Sequence, residues 1–85
     1  MPYEDSLEAL EVVRDVIASH DLPPIKQQKF NGIFNAMEVQ IEDDDVNLEA
    51  VAYLGKAVLS VARGYQLDTQ QIEAALAGVN ESLHK

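Results

Sequence analysis

The stretch 47–64, NLEAVAYLGKAVLSVARG, reads as a helix that is apolar around most of its circumference. At about 100° per residue, Leu48, Val51, Ala52, Leu54, Gly55, Val58, Leu59, Val61 and Ala62 fall on one broad arc. Glu49, Tyr53, Lys56, Ser60 and Arg63 form the narrow stripe left over, at spacings of four, three, four and three. A surface helix with one buried side has a narrower apolar face, so the pattern predicts an all-α, compact four-helix bundle with the third helix, about 47–63, central. Gly55 points the same way. A mid-helix glycine costs about 1 kcal/mol against alanine, which a close approach by another helix would explain.

Outward from this helix the chain divides by charge. Residues 1–49 hold twelve acids and three bases, and residues 50–85 hold three of each, so the whole net charge of −9 lies on the first half. Such asymmetry suits a partner with a basic surface, or solubility alone. Direct nucleic-acid binding is disfavoured, because no basic stripe is present to meet phosphates. Eighty-five residues suit one domain, 1–85, large enough to close a core without metal or disulfide support. Cysteine is absent, which excludes disulfides and thiolate sites and suits a reducing compartment. The start, MPYEDSLEAL, lacks the basic and apolar regions of a secretory signal. The most apolar helix is broken by Glu49, Lys56 and Arg63 and is too short to span a bilayer. A cytoplasmic protein with no membrane contact is expected.

A first helix is expected over about 5–20, begun by a capping box of Asp5 and Glu8, with Ala9, Leu10, Val13, Val16, Ile17 and His20 on its inner face. On the opposite face Glu4, Glu8, Glu11 and Asp15 are spaced four, three and four. They make an acidic ridge about 16 Å long at 1.5 Å per residue. DLPP at 21–24 ends that helix and begins a second, over about 24–42. Its stripe is Phe30, Ile33, Phe34, Met37 and Ile41, with Ile25 and Val39 on the far side as a second contact surface for a possible homodimer. EDDD at 42–45 is the connector, with Asp44 or Asp45 capping the third helix. Gly64 is expected to close that helix in the left-handed conformation. Asp68 is expected to cap a fourth over about 69–83, helped by Gln71 and a Leu67–Ile72 staple, with Ile72, Ala75, Leu76, Val79 and Leu83 inward.

Several constellations invite a chemical reading. Asp5-Ser6-Leu7 resembles the DSL of acyl carrier proteins, which would imply a phosphopantetheine arm on Ser6; the likeness covers three residues, lacks the preceding helix, and capping chemistry explains a serine in a first turn. Residues 3–23, YEDSLEALEVVRDVIASHDLP, resemble the opening helix of the exonuclease VII small subunit. That family is built on a simpler helical hairpin, and no function carries over. EDDD is no EF-hand loop: counted from Asp43, Leu48 and Leu54 stand where glycine and a bidentate glutamate belong. Glu8, Glu11, Asp15, Glu38 and Glu42 compare with the helical carboxylates of all-α nucleotide pyrophosphatases, but a Mg²⁺ site needs acids converging between helices, and this ridge points outward. His20 packs near a helix end, His84 lies near the C-terminus, and no nucleophile has a partnered base.

The sequence therefore favours a non-enzymatic regulator or inhibitor, without cofactor or metal, that binds a basic protein surface and in the limit mimics a nucleic acid. Its partner-binding residues would be Glu4, Glu8, Glu11, Asp15, Glu38, Glu42, Asp43, Asp44 and Asp45. The alternative is a homodimeric structural or regulatory connector that associates through Ile25 and Val39 or through the apolar third helix. A carrier-like protein and a metal-dependent nucleotide hydrolase rank below both.

Overall fold

The computed structural model describes residues 4–84, and among them it holds four α-helices and no strand. They are α1 (Glu4–Ala18), α2 (Pro24–Glu42), α3 (Leu48–Gly64) and α4 (Gln70–Leu83). The packing is that of a four-helix bundle. α1 packs most extensively on α4 and α2 on α3, α1 and α2 join the two pairs, and α3 meets α4 only lightly. The expectation that α3 is central is therefore corrected: each helix takes a corner, and α3 touches only α2 and α4. Its broad apolar arc is divided between those two neighbours and leaves some surface over, so that only Val51, Val58 and Ala62 are buried.

The core is built on α2, whose Phe30, Phe34, Met37 and Ile41 are at most 1% exposed. The apolar residues of α1, α2 and α4 expected to face inward do so, whereas Leu48 and Ala52 of the α3 arc are exposed. α1 supplies Leu10, Val13 and Ile17, and α4 supplies Ile72 and Val79, with Ile33, Ala75, Leu76 and Leu83 packed at the margin. Phe30 stacks on Phe34 with centroids 6.3 Å apart and meets the Tyr65 ring edge-on at 5.9 Å. The end of α3 thus returns to the beginning of α2, as antiparallel neighbours require. Ser6 is the buried polar group, 1% exposed. Its hydroxyl lies 2.8 Å from that of Ser82, whose oxygen is also 2.6 Å from the Val79 carbonyl. Ser6 is therefore a link between α1 and α4 and does not offer its hydroxyl to a phosphopantetheine arm.

The helix ends depart most from expectation. Asp5 lies inside α1 beside Glu4, and both acids occupy the first turn, where the helix dipole favours them. α1 stops at Ala18, leaving His20 half-buried in a turn where Asp21 takes a left-handed φ of 52°. At the start of α3 neither Asp44 nor Asp45 caps: Asn47 Oδ1 accepts the Ala50 N–H at 3.0 Å, because Asn47 directly precedes the helix with extended backbone. The Asp43 carboxylate accepts the Asp45 N–H instead. Gly64 is helical, and Gln66 holds the left-handed position, φ 61°. The Leu67 N–H reaches the Ala62 carbonyl and the Gln66 N–H that of Arg63, a Schellman closure two residues later than expected. Asp68 does serve the start of α4, accepting the Gln70 N–H at 3.0 Å, although Thr69 is the cap residue. Gly55 is not forced by a tight crossing, since an added Cβ would stand 3.7 Å from Leu76 Cδ2, an ordinary contact.

Two stability predictions follow from these placements. Phe34→Ala should lower the unfolding free energy by about 3–5 kcal/mol, while Lys29→Ala on the exposed side of α2 should change it little, both read by urea titration. At the α3 end, Gln66→Gly should stabilise by about 0.5–1 kcal/mol, since left-handed backbone is costly for side-chain-bearing residues. Gly64→Ala should also stabilise, by up to about 1 kcal/mol, because Gly64 has helical φ and open space around its Cα. A destabilising Gly64→Ala would contradict this helix end.

Candidate functional site

The acidic ridge is where the helical spacing puts it. Glu4, Glu8, Glu11 and Asp15 are all exposed on α1, on the side away from Leu10, Val13 and Ile17. Glu8 and Asp15 form no ion pair among the described residues, so their charge faces solvent.

Arg14 connects this ridge to α2. Its Nη2 donates to Glu38 Oε2 at 2.9 Å and to Asn35 Oδ1 at 3.3 Å. Its Nε lies 3.5 Å from Glu11 Oε1, close enough for Coulomb attraction but without hydrogen-bond geometry. Its guanidinium carbon sits 5.5 Å from the centre of the Phe34 ring. One cation thus rests on the aromatic core and holds a carboxylate from each helix. The Arg14 side chain is 21% exposed, but Glu38 is 43% and Glu11 67% exposed, so solvent screens these contacts as it does other surface pairs. Sequence reasoning gave Arg14 no role. The available signal was its position three residues after Glu11 and at the edge of the inner face; Glu38 as a partner depends on how the helices cross.

The remaining acids follow Glu38 along α2 and into the loop. Glu42, Asp43, Asp44 and Asp45 are exposed, and Glu42 lies one helical turn beyond Glu38. They sit at the electronegative end of α2, which has no basic residue in its last turn. Among the described residues no group of three or more His, Asp or Glu is arranged to hold a metal ion. The nine acids thus lie on α1, on the end of α2 and in the loop 43–45, with Arg14 between Glu11 and Glu38, while Glu73 on α4 is paired with Arg63 at 3.3 Å.

A second feature escaped the sequence. Between α3 and α4 an apolar groove of about 280 Å³ is lined by Val51, Ala52, Gly55, Leu59, Leu76 and Ala77, with Met37 and Val79 beneath and Lys56, Glu73 and Asn80 also on its walls. It exists because these two helices touch least, and the small residues Ala52, Gly55 and Ala77 leave the space unfilled. None of the described helices is long and apolar enough to cross a membrane.

Replacing Arg14 by methionine keeps an unbranched apolar stem over Phe34 but leaves Glu11 and Glu38 without their shared cation. Arg14→Met should destabilise by about 1 kcal/mol, and the loss should shrink as added salt screens the two carboxylates. A loss indifferent to salt would show that Arg14 acts by packing alone. Comparison of the chain with family models, with curated proteins and with solved structures gives no match.

Proposed function

We propose that this protein is a small acidic, non-enzymatic interaction module, a regulator or inhibitor that seats its α1–α2 carboxylates on a basic surface of a partner protein. In the limit that surface is one that otherwise holds nucleic acid, and the carboxylates stand in for phosphates. The observation that carries this reading is the joining of the α1 ridge to the α2 acids across Arg14, on a chain whose second half is neutral. Charge spread only for solubility has no need of such concentration. The nine carboxylates named from the sequence are the proposed contact residues, with Glu38 held by Arg14 and with Glu8 and Asp15 in no ion pair among the described residues. A cysteine-free chain fits a cytoplasmic setting.

The reading fixes the sign of the salt effect. Contacts between opposite charges give fast association at low ionic strength that weakens as salt rises. Capture of basic proteins from host lysate by the immobilised chain, identified by mass spectrometry, should therefore fall sharply between about 50 and about 500 mM salt. Glu8→Lys with Asp15→Lys should abolish capture, since neither side chain supports the fold. Glu73→Lys with Glu81→Lys reverses the same number of charges on α4 and should leave capture largely intact. Equal losses from the two pairs would reduce the surface to a diffuse field, and no loss from either would leave the acids a solubilising role.

A further inference from the structure

The outer face of α2 is unlike the rest of this acidic molecule. Ile25, Gln28, Gly32, Ala36 and Val39 form a seam that carries no charge. Ile25 is 76% and Val39 67% exposed, among the most exposed large aliphatic residues of the chain. The acids of α2 lie off this seam and its lysines border it: Lys26 Nζ is 4.8 Å from the centre of the Tyr65 ring, Glu38 is held by Arg14, Glu42 is on the far flank, and Lys29 is exposed on the Ala36 edge, seven residues before it. Gly32 stands midway. Beyond its own helix backbone, no described residue comes within 4 Å of an added Cβ there, and its φ is not positive, so no neighbour among them calls for glycine. In mid-helix that glycine costs about 1 kcal/mol against alanine.

We infer that this face pairs with the same face of a second copy, two α2 helices crossing antiparallel at Gly32. Symmetry points to a second copy. Ile25 and Val39 stand seven residues either side of Gly32, and Gln28 and Ala36 stand four either side. A two-fold axis through Gly32 therefore brings Ile25 of each chain to Val39 of the other, and Gln28 to Ala36, with the two glycines at closest approach. An isologous interface needs this self-complementarity. Charge favours the same place: two chains of net charge −9 repel over most of their surface, and a seam without acidic residues is where they approach at least cost. The groove between α3 and α4 offers no comparable guide to its occupant.

The seam is one narrow helical stripe about 21 Å long, a small patch beside the area that a stable interface buries, so the dimer is weak and reversible. It stands apart from the acidic-surface reading and responds oppositely to salt, since screening lowers the repulsion between copies.

Sedimentation velocity of the full chain, across a wide concentration range and at low and high salt, tests the pairing. The sedimentation coefficient should rise with concentration and more steeply at high salt. Ile25→Lys or Val39→Glu alone should shift the midpoint of self-association at least tenfold upward, with an unchanged circular dichroism spectrum. The double variant, Ile25→Lys with Val39→Glu in one chain, places opposite charges across both contacts of the antiparallel pair and should recover association. A parallel pair would face lysine with lysine and glutamate with glutamate, and would not recover. Monomer under all conditions, association untouched by either single change, or a double variant no better than the singles would each overturn the inference. Dimerisation that survives Glu8→Lys with Asp15→Lys, while capture is lost, separates this result from that of the acidic surface.

Discussion

Phe30, Phe34, Met37 and Ile41 on α2 lose essentially all contact with water, and the positions of the other helices follow from covering them. Each such side chain contributes about 1.5–3 kcal/mol when fully buried, in a chain short enough for a few of them to decide whether it folds. α3 covers this stripe from one side, and Tyr65 seals its start. α1 covers it from the other and brings α4 with it through a long shared contact and the Ser6–Ser82 link. The bundle closes in this way as two pairs joined at α1 and α2, and the weak α3–α4 seam is where the groove remains.

The electrostatic design follows from the same arrangement. Because α1 and α2 are neighbours, Glu11 and Glu38, distant in sequence, come to the same arginine, and Arg14 rests on Phe34 between them. The core contact thus sets where the carboxylates stand, and the cation limits their mutual repulsion without neutralising the surface. Residues 50–85 carry balanced charge, with Arg63 and Glu73 paired between α3 and α4.

Much of this was legible in the sequence because it rests on helical period. The 24–42 boundaries of α2 and its stripe matched, as did the exposure of the ridge and of Ile25 and Val39. The misses concern chain direction and tertiary contact. Gly64 was the obvious left-handed residue, yet the bond from Leu67 to Ala62 sets the reversal at Gln66, where leaving the helix later lets Leu67 reach the core. Asn47 outcompeted Asp44 and Asp45 by adjacency to the helix. The breadth of the α3 apolar face was read as centrality, when part of it lines an unfilled groove. A single helix cannot distinguish a face buried by a neighbour from one left open. Arg14 was missed for the same reason, since its second carboxylate comes from another element.

The central claim is that the α1–α2 carboxylates are the working surface of this bundle. Its most direct test is two-dimensional amide NMR of the labelled protein titrated with a basic protein captured from lysate. The account predicts shifts at Glu8, Glu11, Asp15 and residues 42–45, with the lining of the α3–α4 groove unmoved. Shifts centred on Gly55, Leu59 and Leu76, with the ridge silent, would contradict it and move the working surface to the groove.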